Sequence, residues 1–182
     1  DSVFANTLTT YAHGYSLSLL GAAGTIVDAF APSNTGALTL GQDGGSQTYT
    51  GGLDTSSVSG LETLNGTITT TETALTLGAV TLGSDVSLAS GSGTVAIGGI
   101  VTAAANNFTV SASGTTTITG AINGTTADID ITATVIINVD EAITLTDAGS
   151  VTLTGAVTIS NKNITTVGGD ITFDNAVTTD VG

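Results

Sequence analysis

The sequence predicts an all-β fold: a right-handed parallel β-helix, or β-solenoid, with three short strands in each coil of about 20 residues. Three observations predict it. Short runs of apolar, Thr or Ser, apolar residues recur between Gly, Asn and Asp, as in Leu75-Thr76-Leu77, Val80-Thr81-Leu82, Ile143-Thr144-Leu145 and Val157-Thr158-Ile159. Alternation of period two, rich in β-branched residues and bounded by turn formers, is the strand signature. The runs also return at a longer period, from Leu77 to Ile97, from Ile97 to Ile118 and from Leu153 to Phe173. A repeat of that length is one coil of a solenoid. Finally, apolar residues never recur at helical spacing over a useful length, and Thr and Gly are poor helix formers.

Taken in order, residues 1–73 are irregular coils and 74–182 regular ones, continuous with the first segment. The irregular part supplies runs at 16–19, 25–27, 37–40 and 47–50, then strand-like positions at Val58, Leu61, Leu64 and Ile68. Leu17 and Leu38 again stand one period apart. The alternative is a separate N-terminal β-domain, with 32–34 or 42–46 as loops. In the regular part the runs 74–77, 79–82 and 85–88 make one coil around a tight Gly78 corner, and 94–97, 99–102 and 107–110 make the next. Segments 93–100, 114–122, 149–157 and 169–177 superpose without a gap. The separation of Ile118 from Leu153 falls short of two such periods, so 128–131 and 135–143 read as a shortened or bulged coil.

Composition bounds the function. Fifteen Asp or Glu stand against one Lys, Lys162, for a net charge of −14, while only 9% of the chain is charged and 40% is hydrophobic. Disorder does not fit, because disordered chains pair low hydrophobicity with high charge density. With one cation, the chain has nothing to neutralise a run of phosphates, so nucleic acid is excluded as a partner, and anionic membrane surfaces with it. No apolar stretch approaches the roughly 18 to 20 residues of a membrane span. No Cys is present, which removes disulfides, thiolate zinc sites and cysteine nucleophiles. No Met occurs either, even at position 1, so the expectation is a chain processed or excised from something longer.

Stacked coils place each residue about 4.8 Å from its counterpart, so outward Thr and Ser form polar ladders where identical charges would repel. A solenoid needs caps, yet 170–177 begins another regular coil and no amphipathic helix follows. Further coils or a stacked subunit are expected there.

The sequences Gly-Asp-Ile-Thr-Phe-Asp-Asn-Ala-Val-Thr at 169–178, Ser-Val-Thr-Leu-Thr-Gly-Ala-Val-Thr-Ile at 150–159 and Ala-Leu-Thr-Leu-Gly-Ala-Val-Thr-Leu at 74–82 resemble the shaft repeats of filamentous-haemagglutinin-like large exoproteins and related bacterial β-helical adhesins. The resemblance covers 74–182 well and 1–73 loosely, and the Asn-Pro-Asn type motifs of that family's secretion domain are absent. It implies a shaft that holds a binding tip away from the cell or builds a surface structure, with surface glycans among the partners.

Enzymatic readings are weaker. Parallel β-helical lyases need a basic residue as base and others to hold an acidic sugar, and Lys162 alone cannot serve both roles. A glycosidase needs two carboxylates across one cleft; Asp128 and Asp130 would share a strand face about 7 Å apart, but no aromatic platform accompanies them or Asp140 and Glu141. His13, between Tyr11 and Tyr15, is the only imidazole, and no Gly-x-Ser-x-Gly elbow goes with it. No catalytic or cofactor-binding residue is therefore assigned. Calcium is the metal the side chains suit: Asp170, Asp174 and Asn175 near one corner, and Asp140, Glu141 and Asp147 near another, are oxygen donors for a hard cation. The glycine-rich nonapeptide of calcium-binding β-rolls is absent, Gly168-Gly169-Asp170 being a fragment of it. Four Asn-x-Thr sequons, at Asn65, Asn107, Asn123 and Asn163, are what chance gives in a chain this rich in Thr. Thr69-Thr70-Thr71 and Thr115-Thr116-Thr117 raise ice binding, although the outward slots are filled variably by Thr, Ser, Ala and Asp. The expectation is an extracellular or cell-surface structural protein, shaft segment or fibre subunit, assembled by end-to-end strand stacking.

Overall fold

The computed structural model describes residues 2–98 and 101–180, with Val101 and Thr102 described by their backbone. Among these residues there is no helix, and the strands stack as a parallel β-solenoid of about eight turns with coils of about 21 residues. Gly99 and Ile100, expected to open one of the regular runs, lie outside the described residues.

Three faces recur. The first is a seven-stranded sheet: Leu53–Asp54, Leu75–Leu77, Val95–Ile97, Thr116–Ile118, Ile137–Val139, Val157–Ser160 and Val177–Asp180. The second and third belong to one 15-stranded sheet, because the long strands Glu62–Thr70 and Val80–Gly91 run through both. Short strands such as Ile122–Gly124 and Ile143–Leu145 continue the second face; Phe108–Ala112, Ile129–Ala133, Val151–Thr154 and Ile171–Phe173 continue the third.

The period-two pattern explains the core. On the third face Leu88, Val110, Ile131 and Leu153 stack in one inward column, each 0 to 1% exposed. On the first face the column runs Leu75, Val95, Thr116, Ile137, Val157. Each fully buried aliphatic side chain contributes about 1.5–3 kcal/mol. Every rung repeats that contribution against its neighbours, so stability accumulates coil by coil. Corners carry glycine where backbones approach: a Cβ on Gly149 would run into the carbonyl oxygen of Ala127, and one on Gly169 into that of Gly149.

The N-terminal coils use larger and more polar fillers. Phe30 and Tyr49 stack with ring centroids 5.7 Å apart and planes 10° from parallel. The Tyr49 hydroxyl donates to Gln47 Oε1 at 2.7 Å, and Gln47 Nε2 donates to the Leu19 carbonyl at 2.6 Å, so the polar atoms buried with the ring are satisfied. The ladder through this region is unbroken: Ser2–Ala5 pairs with Ala23–Ile26, which pairs with Ser46–Tyr49, which pairs with Glu62–Thr70.

Several expectations need correction. There is no shortened coil between Ile118 and Leu153: Ile118 pairs with Val139 and Val139 with Ile159, each step an ordinary coil. The segments 128–131 and 135–143 belong to successive faces of ordinary coils. The gap-free superposition equated different faces, since Val95 and Thr116 lie on the first and Val151 and Ile171 on the third. Each face shows the same inward–outward alternation, so the local pattern carries no phase. Leu61, expected at a strand-like position, lies just before the strand Glu62–Thr70 and is 64% exposed, while Glu62 points inward at 1%. The runs Thr69-Thr70-Thr71 and Thr115-Thr116-Thr117 are not outward ladders, because Thr70 and Thr116 point inward and are buried.

Candidate functional site

Three features of the rod bear on function: its outward columns, its corners and its far end. Outward columns follow from strand alternation. On the second face Ser18, Thr39, Thr63, Thr81, Asn123, Thr144 and Thr165 occupy one register position, and Thr102 pairs at it by its backbone. The third face carries two such positions side by side, one running Ser46, Thr67, Ser87, Thr109, Asp130, Thr152 and the other Thr48, Thr69, Ala89, Ser111, Thr132, Thr154.

The corner before the third face holds a ladder of side-chain acceptors. Asp85 Oδ1 accepts from the backbone N–H of Asn107 at 2.8 Å, and Asn107 Oδ1 from that of Asp128 at 2.9 Å. Asp128 Oδ1 accepts from Ser150 N–H at 3.0 Å, and Ser150 Oγ from Asp170 N–H at 3.2 Å. Each step climbs one coil. Small side chains with an oxygen close to the backbone suit this position, because they reach one rung spacing without leaving the corner. The ladder escapes a motif search: its rungs are Asp, Asn and Ser, and their separations along the chain are unequal, at 22, 21, 22 and 20. Aligning the corners, and not the strands, reveals it.

This ladder reassigns one of the paired carboxylates. Asp128 is bound to the next coil, while Asp130, two residues on, points outward from the strand Ile129–Ala133. The calcium candidates are distributed as follows. Asp170 precedes and Asp174 and Asn175 follow the strand Ile171–Phe173, so they stand at its opposite ends. Asp140 and Glu141 follow Ile137–Val139, while Asp147 lies beyond Ile143–Leu145. Most of these carboxylates tie coils together. Asp140 accepts from Ser160 Oγ at 2.7 Å, Asp174 from Thr154 Oγ1 at 2.9 Å, and Glu141 from Lys162 Nζ at 2.9 Å. The Lys162 ammonium, through its hydrogen bond and its charge, holds the Glu141 carboxyl below the usual range. Among the described residues no three His, Asp or Glu side chains are grouped to hold a metal ion. His13 sits in an exposed loop, its N–H donating to the Tyr11 carbonyl at 2.7 Å and its carbonyl accepting from Thr35 N–H.

The far end of the described rod is open. Ile171 is 39% and Val177 40% exposed, and Phe173 is half-buried, in columns whose previous rungs, Val151, Val157 and Leu153, are 0 to 2% exposed. Asp170 receives the last step of the corner ladder through its N–H, which leaves its own carboxylate as the next acceptor in the series.

Glu62 is the functional-type residue that the apolar pattern hides. It is 1% exposed, with Leu38 and Val80 as its register partners, and neither carboxyl oxygen accepts a well-formed hydrogen bond. The signal is present in the sequence: outward Thr63 between Glu62 and Leu64 places both neighbours inward.

Comparison of the chain with protein-family models, with curated proteins and with solved structures returned no match.

Proposed function

We propose that this chain is a shaft segment of an extracellular β-solenoid rod, whose coils continue end to end through further coils of a longer chain or of a second copy. The observation that carries the reading is the repetition itself, each coil meeting the next through the same parallel register and the same corner hydrogen bond. Apolar columns, strand ladders and side-chain acceptors thus offer one coil to another at every step of the described rod. The resemblance of 74–182 to adhesin shaft repeats agrees with this role, as does an exterior of hydroxyl and carboxylate groups that offers trypsin-like proteases almost no cleavage site. Divalent cations would bridge rods through the outward carboxylates. Electron microscopy of negatively stained native material tests the reading directly.

A second reading has one observation in its favour: the paired hydroxyl columns of the third face, with Thr67 beside Thr69 and Thr152 beside Thr154. Such a face orders water or binds ice. An ice-shaping assay with the purified chain decides it; unaltered crystals remove the reading.

A further inference from the structure

Among the described buried residues, Glu62 alone carries an ionisable carboxyl into the core. It occupies an inward column position between Leu38, 0% exposed, and Val80, 2% exposed. Room for it comes from Gly78, where a Cβ would lie 2.8 Å from Glu62 Oε1. The corner above it is longer than those of the later coils. One coil later the first and second faces are joined by Gly78 and Ala79 alone, whereas residues 56–61 make the same connection above Glu62. Thr55, the residue before that loop, is fully buried, its Oγ1 accepting from Gly78 N–H at 3.1 Å.

The charged surroundings are one-sided. The strand Leu38–Leu40 contributes Leu38, Val80–Gly91 contributes Val80, and Leu75–Leu77 ends at Gly78, none of them ionisable. Leu53–Asp54 contributes Asp54, a second carboxylate, and the lone Lys162 is paired with Glu141 far along the rod. An ionised Glu62 would therefore sit in an apolar column without a well-placed donor or a cation, the arrangement that costs a buried charge most.

We propose that Glu62 is a proton-operated latch on the 56–61 corner: the neutral carboxyl lets the corner close over the core, and loss of the proton opens this corner while the regular coils stay closed. Burial pushes the Glu62 carboxyl up to about 7, the nearby Thr55 hydroxyl partly offsets the rise, and the Asp54 charge adds to it. The folded form thus holds the proton more tightly than an unfolded chain does. The stabilisation is complete below the unfolded value of 4.5 and is lost as pH rises through about 7.

Hydrogen exchange read by mass spectrometry, corrected for intrinsic rates, tests this on the full chain. Between pH 5.5 and 8, peptides spanning 54–64 should lose protection by about tenfold or more, the size expected when a group shifted by more than one pH unit titrates, while peptides spanning 129–133 do not. In Glu62→Gln, neutral and of the same size, the two pH values should give equal protection. Unchanged protection in the wild type, or the same loss in Glu62→Gln, overturns the proposal. Should the variant fail to fold, infrared spectra of the wild type decide. A protonated carboxyl band present at pH 6 and gone by pH 8 supports the latch, and its absence at pH 6 overturns it.

Discussion

The Asp128 carboxylate accepts a hydrogen bond from the backbone N–H of Ser150, one coil further along the rod, at 3.0 Å. The same contact, made by different residues, joins five successive coils, so the corner is a spine of local bonds running beside the strand ladders. Asp128→Ala should lower stability by about 0.5–1.5 kcal/mol, the net value of a partly exposed hydrogen bond. Asp128→Asn should cost little, because Asn107 already fills the equivalent place. Urea denaturation of the three proteins measures the difference.

Leu153 lies in the third-face column between Ile131 and Phe173 and is 0% exposed. Leu153→Ala should destabilise by about 2–5 kcal/mol through lost burial and the cavity left behind. Its outward neighbour Thr152 should tolerate Ala within about 0.5 kcal/mol. Equal effects at the two positions would contradict the assigned alternation.

Gly149 stands where a Cβ would collide with the Ala127 carbonyl. Backbone cannot yield there without breaking the rung, so Gly149→Ala should open the coil locally. Exchange protection around 127–133 and 149–154 should fall, while the first-face strand Val95–Ile97, several coils away, keeps its own.

Lys162 and Glu141 form the salt bridge found among the described residues, with both side chains partly exposed. Exposed pairs contribute little. Lys162→Gln should leave the unfolding midpoint unchanged within error at physiological salt, and a large drop would mean that the pair organises its corner.

Much of the fold was legible because a solenoid writes its rule into every coil. The step from Leu77 to Ile97 to Ile118 is a true column, and the three runs after Ala74 map onto three faces. What was not legible is phase. Val151-Thr152-Leu153 and Val157-Thr158-Ile159 read alike, yet they lie on different faces. Leu61, read as a strand-like position, lies just outside the strand, and period two counted back from Leu64 places Glu62 inward against its own hydrophilicity. The corner ladder was hidden because its chemistry, an oxygen one bond from Cβ or nearly so, is shared by Asp, Asn and Ser.

The central claim is that the coils stack end to end into a longer rod. The measurement that tests it most directly is a negative-stain image of native material. Nine rungs at the strand spacing give the described coils a length of roughly 40 Å. The account predicts straight, uniform rods much longer than this; compact particles no longer than this, monodisperse at high concentration with calcium present, would contradict it.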